Sequence, residues 1–454
     1  MLAAMPPTPP IPPDRGEPLI RDRGDACPGA LRLHSADDGR LARLRLPAGL
    51  LTSHQVEVLA SAAEALGDGR VSVTSRGNVE LRGLGEGCGA ELAELLAEAG
   101  LLPSATHERI RNVVASPAAG LDGLGSGDVQ LWARELDALL CAREWTAALS
   151  GRFLFVLDDG RGDVAGLGGD VTLLAAASSA DGEGTDGATA LLRVGAQFFR
   201  VAATDAPGAA LAAADAFLEA ARAAGNGAWR VRELPEGVEP DVAAALRRAC
   251  VAAQSIDRSP EPAQSINRSP VAAQSVAGRA PHTPSAGPLP GVVGHDGRWA
   301  VCVGVPLGRL TAAQLRALAP DAAGELRLTP WRGAVVTGFG GRAAAEERRE
   351  ALAAAGLITR PADPWTGVGA CTGRPGCAKS LADVRADATP GDGGLPVHFS
   401  GCERRCGHPQ GAHGTWVDVV ATGEDAYLVD GRPTPRTDLP SAVAAARGPS
   451  THTR

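Results

Sequence analysis

Four of the nine cysteines fall in one stretch near the C-terminal end, Cys371-Thr-Gly-Arg-Pro-Gly-Cys377 and then Phe399-Ser-Gly-Cys402-Glu-Arg-Arg-Cys406-Gly-His408. The pairs are spaced C-x5-C and C-x3-C with about two dozen residues between them, so one folded loop can bring four sulfur donors around a single centre. Four soft thiolates select zinc or an iron–sulfur cluster. Paired cysteines at structural zinc sites have two to four residues between them, whereas the first pair here has five. The spacing therefore favours a cluster. Reading these cysteines as buried small hydrophobes requires apolar neighbours, and Gly, Pro and Arg crowd the motif instead.

The remaining cysteines give weaker signals. Cys88, Cys141, Cys250 and Cys302 stand among Ala, Leu and Val and read as fillers of helices or a strand. Cys27 stands beside a Pro-Gly turn and its role is open. His408 and His413, close to Cys406, read as simple donors in a Gly-rich loop, with iron binding or substrate protonation as alternative roles.

Positive charge is supplied almost entirely by arginine, which grips carboxylates bidentately; Lys379 is the lysine of the chain. Thr74-Ser-Arg76-Gly-Asn78 closes a strand, and Arg111 opens a polar Arg-Asn-Val motif. Packing requires a cation at neither place, so both are candidates for binding an anion. Trp331-Arg332-Gly333 occupies the position in a second repeat that Ser75-Arg76-Gly77 has in a first, which makes Arg332 a candidate from the opposite side. Arg109 reads equally well as a surface residue.

These positions must be held by regular elements, and the pattern supplies them twice. Leu41–Leu46 alternates like a strand, Ser53–Leu66 has helical apolar spacing behind a Thr52/Ser53 cap, Arg70–Leu84 alternates again, and Cys88–Ala99 is a second helix. The order recurs about 255 residues later: a strand from Trp299, a helix Ala312–Leu318, strands Glu325–Thr329 and Ala334–Phe339, and a helix closing at Ala353–Leu357. Strand, helix, strand pair, helix is half of a ferredoxin-like α+β unit. After the first half come His107–Val114, a helix Val129–Leu149, and strands Phe153–Leu157 and Ala190–Val194. After the second come the cysteine motif, Thr415–Val420 and Ala426–Leu428. One cluster per chain follows, because only the second repeat has the cysteines.

The expected division is a disordered Pro-rich tail 1–22, ferredoxin-like half 1 at 23–105, its partner half at 106–248, a low-complexity linker 249–290, ferredoxin-like half 2 at 291–360, the cluster-binding half at 361–445 and a disordered tail 446–454. The linker carries decapeptide echoes such as Glu261-Pro-Ala-Gln-Ser-Ile-Asn-Arg-Ser-Pro270, too polar for a core. A chain of 454 residues supports several such units. With 44 Lys plus Arg against 52 Asp plus Glu, the net charge of −8 argues against nucleic acid or a membrane surface as partner. No apolar run has the length of a membrane span and the start lacks signal-peptide regions, so a cytoplasmic protein is expected.

The cysteine motif, with its Ser-Gly-Cys strand end, resembles that of the sulfite and nitrite reductase superfamily. There the fold is α+β, with two pseudosymmetric repeats, each a ferredoxin-like half followed by an α/β half, enclosing a tetrapyrrole cavity. The resemblance implies that Cys371, Cys377, Cys402 and Cys406 hold a [4Fe-4S] cluster, with Cys406 the ligand that bridges to sirohaem iron where sirohaem is present. It also implies that Arg76, Arg111, Arg332 and Arg152 meet the macrocycle. Sulfite-reducing members have a Lys-Phe-Lys pattern where this chain has Arg152-Phe153-Leu154. Loss of the second cation weakens reduction of a small multiply charged anion.

Asp25–Ala30, Arg111–Asp122 and Asp158-Asp-Gly-Arg161 look instead like the precorrin-3B synthase branch. That resemblance implies an iron–sulfur monooxygenase acting on a polycarboxylated tetrapyrrole. Its expected chemistry is hydroxylation of precorrin-3A at C20 with γ-lactone formation, using O2 and electrons from NADH through a donor protein. A mononuclear non-haem iron is a further cofactor it admits. The alternatives are a sirohaem-dependent sulfite or nitrite reductase and a silent electron-transfer or cluster-carrier protein.

Overall fold

Residues 29–176, 188–256, 287–391, 393–409 and 414–448 are described by the computed structural model. The expected tail 1–22, residues 449–454 of the other tail, Cys27, His413 and residues 257–286 of the expected linker lie outside them. The linker's first residues are structured: Ala253–Ser255 pairs antiparallel with Gln197–Ala202 at the edge of a sheet.

The two ferredoxin-like halves are alike down to single side chains. Thr52 caps the helix Ser53–Leu66 in a capping box with Gln55, and Thr311 caps Ala312–Ala317 in the same way with Gln314. The Gln55 amide also donates to the Ala99 carbonyl (3.1 Å) and the Gln314 amide to the Ala355 carbonyl (3.0 Å), so each side chain ties the first helix of its half to the end of the second. A capping box satisfies two backbone N–H groups that a helix start leaves without partners.

Each half also lends a strand to the other. The first sheet runs His34–Ala36, Gly39–Leu44, Val79–Leu84, Arg70–Val73, Arg309–Thr311, and the last of these comes from the second repeat. The second runs Gly291–His295, Arg298–Gly304, Gly333–Phe339, Leu326–Leu328, Leu50–Leu51, and here the last strand comes from the first repeat. The exchanged strands cover sheet edges that are otherwise unpaired. One apolar core, including Leu44, Leu81, Val301 and Val336, runs through both halves, so 23–105 and 291–360 do not fold around separate interiors.

The other two sheets repeat one another. One is ordered Ala253–Ser255, Gln197–Ala202, Thr189–Val194, Val171–Ala176, Phe155–Asp158, Val113–Ala115. The other is Val368–Ala370, Val397–Ser400, Val417–Ala421, Ala426–Val429, Arg432–Pro435. In each, two parallel pairings lead into antiparallel hairpins and then a helix with proline in its first turn, Ala206–Ala224 and Leu439–Arg447. The helix expected over 129–149 ends at Cys141 and is followed by a short 3-10 turn, Glu144–Ala148. The Thr146 hydroxyl lies 2.7 Å from the carbonyls of both Leu140 and Arg143 and takes the place of a further helical turn. Among the described residues no helix is long and apolar enough to cross a membrane.

Candidate iron–sulfur site

The strands Val368–Ala370 and Val397–Ser400 are parallel neighbours, with Val368 opposite Val397 and Ala370 opposite Phe399. Parallel strands end side by side, so the segment beginning at Cys371 and the one carrying Cys402 leave the sheet at the same edge. Two bonds close the gap. The Cys371 N–H donates to the Phe399 carbonyl (2.9 Å), and the Gly401 N–H donates to the Cys371 Sγ (3.2 Å). Burial raises the Cys406 thiol above its ordinary range, and the nearby thiols of Cys371, Cys402 and Cys377 raise it further. The Cys406 thiol therefore lies within electrostatic reach of the other three.

The rest of the site comes from distant elements. Arg82, on the strand Val79–Leu84, grips Asp38 with two bonds of 2.9 Å and donates to the Gly376 carbonyl (2.5 Å) beside Cys377. A bulge turns it there. Arg40 pairs with Leu84 and Ala42 with Leu81, so Arg82 and Gly83 share one partner position, and Gly83 takes φ +68°. Arg385 donates to the carbonyls of Cys371 (3.0 Å) and Leu307 (3.2 Å). Arg332 donates to the carbonyl of Gly407 (2.7 Å), next to Cys406.

Neither Arg332 nor Arg385 forms an ion pair with a described carboxylate. Arg309 and Arg82 nearby have Asp68 and Asp38. Burial lowers both guanidiniums; Arg385 is pushed down to about 10, with Arg309 and Arg332 adding to the effect.

The strand Val397–Ser400 turns Val397 and Phe399 into the local core and His398 and Ser400 the other way. His398 donates from Nε2 to the Cys406 carbonyl (3.1 Å), and burial with nearby Arg332 pushes it down to about 3, so it is neutral. Its Nδ1 and the Ser400 Oγ are buried without hydrogen-bond partners. A four-thiolate donor set, two buried cations lacking carboxylates, and polar atoms lacking partners fit a negatively charged thiolate-bound cluster.

The first repeat shows what the same frame becomes without cysteines. Val113–Ala115 and Phe155–Asp158 pair in the same parallel register, so Ser116 corresponds to Cys371, Asp122 to Cys377, Gly160 to Cys402 and Val164 to Cys406. Arg161 fills this counterpart, bridging Asp159 (2.7 Å) and Asp122 (2.8 Å). Carboxylate oxygens of Asp158, Asp159 and Asp163 lie within 4.8 Å of one another. Asp158 is already occupied by the backbone N–H groups of Gly160, Gly162, Val164 and Ala165, and Asp159 by Arg161. Sequence reasoning assigned no role to this acidic loop.

Burial, with Asp158 beside it, pushes Asp163 up to about 7. A carboxyl raised in the folded state keeps its proton where the unfolded chain has lost it, so stability falls as pH rises from about 4 through about 7. Asp163→Asn removes this loss while leaving an acceptor for the Ser116 hydroxyl (2.6 Å). The expected result is about 2 kcal/mol of added stability at pH 8 and almost none at pH 4. Urea unfolding midpoints at the two pH values check it, and an equal shift at both contradicts it.

The arginines expected to meet a ligand fare differently. Arg111 is a correction: it is buried, bonded twice to Asp137 (2.6 and 2.7 Å) and once to the Leu101 carbonyl (3.3 Å), so its donors are committed within the protein. The motif's contribution is its neighbour Asn112, whose side chain accepts from Asn78 (3.1 Å) and donates to the Phe153 carbonyl (3.0 Å). Arg152 is exposed and lies over the Trp229 ring at 4.9 Å, while Leu154 is buried. Arg76 is half-buried in a turn where Thr74 Oγ1 accepts from the backbone N–H of Arg76 and Asn78. That turn abuts the one containing Arg332, since a Cβ on Gly77 would meet the Leu328 carbonyl.

Of the expected fillers, Cys302 is buried in a strand and pushed up to about 12 and Cys141 ends a helix, whereas Cys88 precedes its helix as the cap residue and Cys250 is exposed in a turn. His408 stacks on Trp416 at 5.3 Å and lies 2.7 Å from the Pro409 carbonyl. Arg82, Arg385, His398 and Ser400 were missed. An arginine followed by glycine inside an alternating strand is the signal that could have marked Arg82.

The nitrite/sulfite reductase ferredoxin-like half domain matches residues 34–99 and 293–353. A precorrin-3B synthase of Sinorhizobium sp is 28% identical over 428 residues, 90% of this chain and 83% of that one. A ferredoxin–nitrite reductase of Leptolyngbya laminosa is 37% identical over 84 residues, 18% of this chain and 16% of the relative. Among solved structures, the Mycobacterium tuberculosis NirA protein superposes with a TM-score of 0.63 at 16% identity, covering 91% of this chain and 82% of that one, which shows the shared fold.

Proposed function

We propose, from the match to the nitrite/sulfite reductase ferredoxin-like half domain and the similarity to a precorrin-3B synthase along most of the chain, that this protein is a precorrin-3B synthase-type monooxygenase of that superfamily. What supports this reading is the similarity to that enzyme along most of the chain, together with a sheet edge where the segments carrying Cys371 and Cys402 leave side by side next to buried arginines. The substrate is a polycarboxylated tetrapyrrole, hydroxylated at C20 with lactone formation. One O2 and two electrons from NADH enter, and one oxygen atom leaves as water.

Cys371, Cys377, Cys402 and Cys406 would hold a [4Fe-4S] cluster, which supplies one-electron transfer toward the substrate when bound. The chain's own residues do the rest. Arg82 holds the first cysteine loop against the ferredoxin-like half. On that sheet face Arg43, Arg45, Glu80 and Arg82 stand where the second half has Cys302, Gly304, Val335 and Thr337. Of these, Arg82 reaches the cysteine loop while paired with Asp38, Arg43 is paired with Glu80, and Arg45 donates to the carbonyls of Arg109 and Gly151. Arg76 keeps its proposed role of binding a substrate carboxylate. The exposed Arg152 and buried Leu154 support this reading over anion reduction.

Arg76→Ala is expected to weaken binding of a stable polycarboxylated porphyrin by at least about tenfold with cluster content unchanged, measured by fluorescence quenching. Unchanged affinity would remove Arg76 from the site. An absorption spectrum of the anaerobically purified protein showing tightly bound sirohaem would instead support the reductase reading, for which the 84-residue match to nitrite reductase speaks.

A further inference from the structure

We propose that Arg332 and Arg385 are the fixed counter-charges of the iron–sulfur cluster and hold its reduction potential up. The inference rests on the reading that the four cysteines bind a cluster. It reassigns Arg332 from the substrate to the metal centre.

Two cations are buried beside the cysteine loops with backbone carbonyls as their only hydrogen-bond partners among the described residues. The nearby Glu80, whose charge acts on Arg332, is engaged by Arg43 at 2.8 Å. Burying an unpaired guanidinium is costly, so the fold needs a negative group at this place. A core held by four thiolates carries net negative charge and gains another on reduction. A nearby fixed cation therefore favours the reduced form, most strongly where water is excluded.

The charges cannot swing away. Arg332 is threaded between glycines: a Cβ on Gly308 would overlap its Cδ, and one on Gly407 would overlap its Nη2. Its backbone takes φ +56°, a left-handed conformation that a non-glycine residue adopts at a cost and that the surroundings must enforce. Arg385 is pinned at both of its bonded nitrogens, one of them to the carbonyl of a cysteine of the motif.

The test uses full-length protein, reconstituted anaerobically with ferrous iron and sulfide. Iron and sulfide content and an EPR-monitored redox titration are measured for wild type, Arg332→Gln, Arg385→Gln and Arg385→Lys. Each Gln variant is expected to disfavour reduction by about tenfold, a shift of about 59 mV for one electron, with Arg385→Lys near wild type. If a Gln variant takes up no cluster, uptake by Arg385→Lys with failure of Arg385→Gln supports the charge role, whereas equal failure of both overturns it. Full clusters with unchanged potential in both Gln variants also overturn it. A wild-type protein that takes up no cluster overturns the underlying reading instead.

Discussion

Cys377→Ser is expected to abolish the cluster. Wild-type protein purified without oxygen should carry about four iron and four sulfide per chain and absorb near roughly 400 nm, and the variant should lose most of both. Serine is a hard, poorly ionised donor where the site offers a soft thiolate. The loop cannot readily bring a substitute ligand, because the carbonyl preceding Cys377 is held by Arg82 and the Arg374 N–H is bonded to the Ala382 carbonyl (3.0 Å). Cys250→Ser is the control, since Cys250 is exposed in a turn remote in sequence from the motif and should leave iron content unchanged. Full iron and sulfide in Cys377→Ser would show that the four-cysteine assignment is wrong.

Removing Arg82 should have the largest effect of any change that spares the cysteines. Arg82→Ala leaves Asp38 without its bidentate partner and the Gly376 carbonyl without its donor, in a place where the arginine side chain is 9% exposed and Asp38 22%. Breaking a buried pair from one side costs about 3 to 5 kcal/mol, and the partial exposure of Asp38 reduces this to about 2 to 4. The loss should fall on the cysteine loop as well as on global stability, with iron released to a chelator at least about tenfold faster. Arg82→Lys should recover little, because one ammonium cannot reproduce the fork that spans two carboxylate oxygens and a carbonyl. A urea midpoint and chelation rate both equal to wild type would refute the clamp.

Where a property depends on residues close together in the chain, it was readable from the sequence. The cysteine spacing singled out a candidate donor set, and apolar spacing behind the Thr52/Ser53 cap placed the helix Ser53–Leu66 to the residue. The recurrence of strand, helix, strand pair and helix revealed the internal symmetry, because local propensity and apolar period are set within a few turns. The Ala-rich helix Ala206–Ala224 escaped notice because alanine fills buried and exposed positions alike and leaves no periodic contrast.

Contacts between distant segments were decided only by the tertiary structure. The exchange of Leu50–Leu51 for Arg309–Thr311 makes one core of two halves, and neither short strand announces its partner. Arg111 and Arg332 were both candidates for binding an anion; packing gave Arg111 a carboxylate in Asp137 and left Arg332 against the Gly407 carbonyl. The motif offers candidate ligands because thiolate chemistry resides in the residue itself. The charge balance around those ligands depends on which carboxylates the fold brings near, and for Arg332 and Arg385 it brings none of the described ones into an ion pair.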